Sequence, residues 1–270
     1  PDVLLRAPDV GRSAYLSRTH ADNPLAAVVR VVEGRCGRSL SAGYSLSVTS
    51  AIPIASGLGS GAAISIAVIR ALLQYLGLAD SVSREAVSEM AYEVERLHHG
   101  TPSGIDNTVI AYERPVYFVR RDPEPQIETF HPARPLRLII GDTGVRSATK
   151  DVVGDVRRRW EREREGFEVI FDACGRLAEA GRTALLAGDI ESVGELMNEN
   201  HAWLQQMTVS SAPLDNLVAA ARAAGALGAK LSGAGRGGNM IALVTDETEE
   251  AVSAGLLAVG AMRVFKSDVG

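Results

Sequence analysis

Three clusters of glycine, acidic and small polar residues carry the chemistry this sequence can do. The first is Gly57-Leu58-Gly59-Ser60-Gly61-Ala62, directly ahead of a nearly uncharged run. Glycines let backbone N–H groups approach an anion, and a helix N-terminus adds unpaired donors and the positive end of its dipole. The loop reads as a phosphate cradle or, equally, as a tight strand-to-helix turn that holds nothing. Its spacing also satisfies the dinucleotide pattern Gly-x-Gly-x-x-Ala. That pattern wants an acidic residue about 20 positions on, at the end of the next strand. Asp80 has roughly that spacing but lies between two helical patterns, so the dinucleotide reading is weak. No Gly-x-x-x-x-Gly-Lys-Ser/Thr occurs, which excludes a P-loop.

The second cluster is Glu95, His99, Ser103 and Asp106. One carboxylate can ligate Mg²⁺, which takes oxygen ligands together with substrate phosphates. The other can take a hydroxyl proton in phosphoryl transfer. Taken singly, Glu95 also reads as a surface helix residue, His99 as a capping or core imidazole, and Asp106 as a turn residue. The third cluster, Ser232-Gly233-Ala234-Gly235-Arg236-Gly237-Gly238, repeats the Gly-x-Gly-x-x-Gly spacing. It joins strand to strand, so it either packs against a phosphate or is a plain hairpin connection.

Regular elements must position these clusters. Gly43–Ile54 alternates Tyr44, Leu46 and Val48 with Ser45, Ser47 and Thr49, which predicts a half-buried strand. Ala62–Leu76 predicts a buried helix starting at the glycine loop. Arg84–His98 predicts an amphipathic helix with Val87, Met90, Ala91, Val94 and Leu97 on its apolar face. A loop over 99–107 follows, then strands at Val116–Val119 and Leu136–Ile140. Arg121–Pro135, rich in proline and charge, is the expected domain boundary. Helices are expected after Gly144, over Phe167–Leu186 and Val193–Met207, and from Pro213 to Gly225. The end reads as strand, glycine cluster, strand (Met240–Thr245), helix and strand (Arg263–Lys266), an order that suits an α+β sandwich.

Composition bounds the partners. The 270 residues are 46% hydrophobic and 23% charged, ordinary for a globular protein with a sizeable core. A net charge of −5 argues against a nucleic-acid partner, whose phosphates need a basic surface. Arg157-Arg158-Arg159 and the acids after them read as a solvated helix face. No apolar run reaches the roughly 18 residues that span a bilayer, so no membrane role is expected. Cys36 and Cys174 form neither a disulfide framework nor a zinc spacing, and two reduced thiols in a cytoplasmic protein are expected.

Together the clusters resemble the GHMP kinases. The family's second motif, Pro-x-x-x-Gly-Leu-Gly-Ser-Ser-Ala, reads here as Pro53-Ile54-Ala55-Ser56-Gly57-Leu58-Gly59-Ser60-Gly61-Ala62, and its third as Lys230–Gly238. The stretches Glu95–Asn107, Asp142–Lys150 and Asn200-His201 through Lys230 resemble the mevalonate kinase branch. The resemblance implies an α+β, two-domain fold. A ribosomal protein S5 domain 2-like N-terminal domain would span 1–130, and a ferredoxin-like C-terminal domain 131–270. It implies transfer of the ATP γ-phosphate to the 5-hydroxyl of mevalonate with Mg²⁺, commonly by a homodimer. Asp106 would be the catalytic carboxylate, Glu95 and Ser60 the metal ligands, and Gly57–Ala62 the phosphate wrap. His99, Thr143, Gly233, Ala234 and Gly235 would line the substrate. Gly61 stands where the motif has a second serine. The first motif, which carries a lysine, is not matched, and the start at Pro1-Asp2 is expected to reflect a longer natural protein. The alternatives are a GHMP kinase for phosphomevalonate, a sugar or shikimate, a noncatalytic sensor of the same fold, and, from spacing alone, an NAD-dependent dehydrogenase.

Overall fold

The computed structural model describes residues 2–20, 23–40, 43–52, 59–99 and 102–270, apart from the side chains of His98 and His99. The described residues up to Thr129 form one compact unit, and those from Phe130 onward a second.

In the first unit, β1 (Leu4–Ala7) pairs antiparallel with β2 (Arg12–Tyr15) and parallel with β3 (Ser45–Ser47). The strand expected over 43–54 is therefore only three residues long as paired backbone. The alternation is nevertheless real: Tyr44, Leu46 and Val48 pack against the core while Ser45, Ser47 and Thr49 are exposed.

Helix α1 (Pro24–Cys36) starts where the Asn23 side chain accepts the Ala26 amide at 3.1 Å, and it stops at Gly37, whose φ of 61° a residue without Cβ adopts most readily. Helix α2 (Ser60–Tyr75) buries Ala62, Ile66, Ile69, Leu72 and Leu73 against α1, α3 (Arg84–His99) and α4 (Ile105–Tyr112). Burial of each large side chain contributes about 1.5–3 kcal/mol. On α3, Val87, Met90, Ala91 and Val94 are buried as predicted, but Leu97, one turn from the end, is 63% exposed. Strands β4 (Val116–Val119) and β5 (Gln126–Thr129) form an antiparallel hairpin, so the expected linker contains a strand.

The second unit is an antiparallel sheet in the order β7-β8-β6-β9, made of β6 (Leu136–Asp142), β7 (Gly228–Ser232), β8 (Asn239–Val244) and β9 (Arg263–Val269). Its helices are α5 (Thr149–Arg162), α6 (Arg164–Ala187), α7 (Ile190–Gln206), α8 (Ala212–Ala223) and α9 (Glu249–Ala258). Ile139, Leu231, Met240 and Ala242 from the sheet, Leu214 and Leu217 from α8, and Val252 and Leu256 from α9 share one core. Val153 of α5 is 54% exposed.

β7 is an edge strand, and an uncovered edge leaves backbone donors and acceptors unpaired. Helix α7 covers it at backbone contact. A Cβ on Gly228 would lie 2.0 Å from the Gly194 carbonyl oxygen, and one on Gly194 would lie 2.6 Å from the Leu227 carbonyl. The Asn198 side chain then accepts from the Ala229 amide at 3.0 Å and donates to the Leu227 carbonyl at 3.3 Å, as a neighbouring strand would. No helix among the described residues is long and apolar enough to cross a membrane. Gly228→Ala, which forces α7 off the strand, is expected to destabilise the second unit by about 3 kcal/mol or more, read as a fall in the urea midpoint. An unchanged midpoint would remove the close approach from this account.

Candidate functional site

In the first unit, the predicted residues meet at the start of α2. Gly59 is its N-cap, in the left-handed region at φ 67°, and has no side chain of its own to cap the helix. By helix geometry the first-turn amides have no intrahelical acceptor. The Gly59 carbonyl already accepts from Ala63 at 2.9 Å. Two carboxylates reach this turn. A Cβ on Gly59 would lie 3.4 Å from Asp106 Cγ, and a Cβ on Gly61 would lie 3.0 Å from Glu95 Oε1. Gly61 thus has a local reason: a serine there would crowd the Glu95 carboxylate.

Asp106 does not lie in a loop, as the spacing suggested. It occupies the first turn of α4, whose N-cap is Gly104 at φ 85°. That position favours a carboxylate through the helix dipole. The rest of α4 is tied down by polar contacts. Buried Asn107 donates to Ser88 Oγ at 2.9 Å and to its carbonyl at 3.1 Å, and Thr108 Oγ1 donates to the Gly104 carbonyl at 2.6 Å. At the other end, Arg70 of α2 donates to the Ala111 carbonyl at 2.9 Å and Arg84 of α3 to the Tyr112 carbonyl at 3.1 Å. Cations at a helix C-terminus satisfy its last carbonyls and complement its dipole.

Among the described residues no group of three or more His, Cys, Asp or Glu side chains can hold a metal. Among the described residues the donors placed at the α2 start are hard oxygens: the carboxylates of Glu95 and Asp106 and the hydroxyl of Ser60. Such a sparse oxygen set fits Mg²⁺, which keeps waters and substrate phosphates in its shell, and does not fit zinc.

The second unit gathers Thr143, Gly233, Ala234 and Gly235. Asp142, 4% exposed at the end of β6, accepts from the Gly144 amide and from Arg263, each at 2.8 Å. Thr143 donates from both its amide and its hydroxyl to the Gly238 carbonyl, at 2.9 and 2.8 Å, and its hydroxyl accepts the Val145 amide at 3.2 Å. The Thr143 hydroxyl therefore stitches two loops together.

The middle of the glycine cluster rests on residues 208–209. The Arg236 amide donates to the Val209 carbonyl at 2.7 Å and its Nε to the Thr208 carbonyl at 3.1 Å, and its guanidinium pairs with Asp155 of α5. The Arg236 contact holds the Asp155 carboxyl below its usual range. Arg236 has φ 58°, and a Cβ on Gly235 would lie 2.0 Å from the Val209 carbonyl oxygen, so glycine there is obligatory.

Two predicted positions, Gly57 and Leu58, lie outside the described residues. So does the side chain of His99, whose backbone ends α3. The predicted residues fall into two groups: Gly59, Ser60, Gly61, Ala62, Glu95 and Asp106 in the first unit, and Thr143, Gly233, Ala234 and Gly235 in the second. Sequence reasoning missed Asn107, Arg70, Arg84, Asp142, Asp155 and Arg236 as supports. Asp142-Thr143-Gly144 carries an Asx-turn signal that points to Asp142. The arginine contacts bridge 41 and 28 residues in α4's case and leave no local trace.

The model of the GHMP kinases N terminal domain matches residues 23–114, and that of the GHMP kinases C terminal matches residues 182–261. The mevalonate kinase of Pyrococcus horikoshii is 40% identical over 223 residues, covering 81% of this chain and 64% of its own length. That of Thermococcus onnurineus is 38% identical over 234 residues, covering 84% of this chain and 68% of its own. The crystal structure of L. major mevalonate kinase in complex with R-mevalonate matches with a TM-score of 0.83 at 28% identity, covering 99% of this chain and 82% of that one. The chain spans 64% of the length of the Pyrococcus horikoshii and Pyrococcus abyssi relatives.

Thr143→Val keeps the shape of the side chain but takes the hydroxyl acceptor from the Val145 amide and leaves the Gly238 carbonyl with the residue-143 amide alone of its two Thr143 donors. It is expected to destabilise the second unit by about 1 kcal/mol in thermal unfolding, with Thr143→Ser close to the parent. Equal melting of both variants would show that the hydroxyl does not hold the loops.

Proposed function

This chain belongs to the GHMP kinase family, and from that premise we propose that it transfers the γ-phosphoryl group of ATP to the 5-hydroxyl of (R)-mevalonate, giving 5-phosphomevalonate. The observation that carries this reading is the meeting of Asp106 and Glu95 at the glycine-capped start of α2. A helix N-terminus binds phosphate, but two carboxylates beside it repel phosphate. The combination makes chemical sense where a divalent cation and a reacting hydroxyl share the site.

In this reading the first-turn amides of α2 receive the nucleotide phosphates. Glu95 and Ser60 hold Mg²⁺, which when bound neutralises phosphate charge. Asp106 accepts or orients the proton of the acceptor hydroxyl as its oxygen bonds to the γ-phosphorus, while the bond from that phosphorus to the bridging oxygen of ADP breaks. The α4 contacts keep the Asp106 carboxylate in place, so its alignment does not depend on the substrate. Thr143 and Gly233–Gly235 line the substrate, with His99 beside the acceptor.

Mevalonate is preferred to other alcohols because the relatives at 38–40% identity are mevalonate kinases. Fold alone would not choose among acceptors. The test is coupled ADP detection over a panel of mevalonate, phosphomevalonate, a hexose and shikimate. Mevalonate-dependent ADP release is expected. Asp106→Asn should lower kcat roughly 100-fold or more with ATP binding retained. Turnover of another alcohol but not mevalonate sinks the acceptor, and full activity of Asp106→Asn removes the carboxylate from its role.

A further inference from the structure

Two glycines open α2, and they are glycine for different reasons. Gly59 has φ 67°, a conformation that side chains disfavour. Gly61 lies within the first turn of the helix and has no positive φ. Alanine is preferred to glycine at such a position, so its backbone does not call for glycine.

A neighbour does. Among the described residues, leaving aside chain neighbours and the helix's own backbone, the one atom within 4 Å of a Cβ at position 61 is Glu95 Oε1, at 3.0 Å. That is closer than non-bonded carbon and oxygen settle. Glu95 comes from α3, and α3 packs along α2 beside it. Helix packing therefore delivers the carboxylate to the turn, and Gly61 leaves it the room to arrive.

The amides of this turn are the donors that receive the nucleotide phosphates in the reading above. A carboxylate lying against them competes with a phosphate for the positive end of the helix dipole and repels it across a short gap. Asp106, whose Cγ would lie 3.4 Å from a Cβ at Gly59, adds a second negative charge.

We infer that Gly61 is a specificity-determining residue: by admitting Glu95 to the first turn of α2, it closes the phosphate cradle to bare nucleotide and opens it to nucleotide that arrives with a divalent cation. This rests on the phosphotransferase reading above. Glu95 then does two things with one charge. It holds the cation when the cation is bound, and it turns the polyphosphate away when the cation is absent. The coupling is reciprocal, so nucleotide raises the affinity for the cation by the same factor.

The test is calorimetric titration of the full chain with ATP, once in excess Mg²⁺ and once in EDTA, alongside turnover of mevalonate. Mg²⁺ is expected to raise the ATP affinity of the parent about 100-fold. Glu95→Gln should bind metal-free ATP about tenfold more tightly than the parent and reduce the effect of Mg²⁺ to about tenfold or less. Gly61→Ala displaces Oε1 and should move both quantities in the same direction by about threefold, with no such change in the Glu95→Gln background. A merely structural effect of alanine, which favours the helix, raises the melting temperature and leaves the ratio of the two affinities as it was. Equal ATP affinity in Mg²⁺ and EDTA, or a Gly61→Ala effect of the same size with and without Glu95, overturns the inference. A protein that shows this coupling yet does not phosphorylate mevalonate overturns the acceptor and leaves Gly61 and Glu95 in their roles. A protein that binds no ATP in either condition overturns both.

Discussion

The first unit is organised around one electrostatic constraint, the glycine-capped N-terminus of α2. A glycine N-cap offers no side chain of its own to the first-turn amides, which need an acceptor. Gly59 makes this possible by taking a backbone conformation that side chains disfavour, and by leaving room for Asp106. Gly61 leaves room for Glu95 in the same way. The burial of α2 among α1, α3 and α4 then fixes where those donors point, because a helix apolar on nearly every side cannot rotate without exposing core residues such as Ile66 and Ile69.

Placing two carboxylates at that helix start requires their carriers to be rigid. α4 is only two turns long, too short to be stable alone. It persists because Asn107 and Thr108 are buried and bonded, and because Arg70 and Arg84 occupy its terminal carbonyls. The Asn107 and Thr108 bonds are buried and the Arg70 bond part-buried, so each is worth more than an exposed ion pair such as Arg35 with Glu89, while the Arg84 bond is exposed.

The second unit solves a different problem, how to hold a glycine-rich loop in one shape. Glycine loses more backbone freedom on ordering than any other residue, so the loop must be tied at several points. Thr143 ties its far end, the 208–209 backbone ties its middle, and His201 ties the strand that feeds it. The last tie exists only because Gly194 and Gly228 let α7 lie directly on β7.

Much of this was legible in the sequence. The helix over Ala62–Leu76, the apolar face from Val87 to Val94 and the strand-to-strand setting of Gly233–Gly238 follow from periodicity and turn chemistry, which are local. The glycine loop around Ser60 read equally as a phosphate cradle or an empty turn, and the Glu95–Asp106 segment with the third glycine cluster favoured phosphate chemistry. Tertiary structure decided what local pattern cannot. It put Asp106 on a helix instead of in a loop, since Gly104 and Thr108 close a helical turn there. It exposed Leu97 despite its helical phase. It also set the bond between His201 and the Leu231 amide, the room left by Gly61 and the contact between Gly194 and Gly228, each of which depends on atoms brought together from distant parts of the chain.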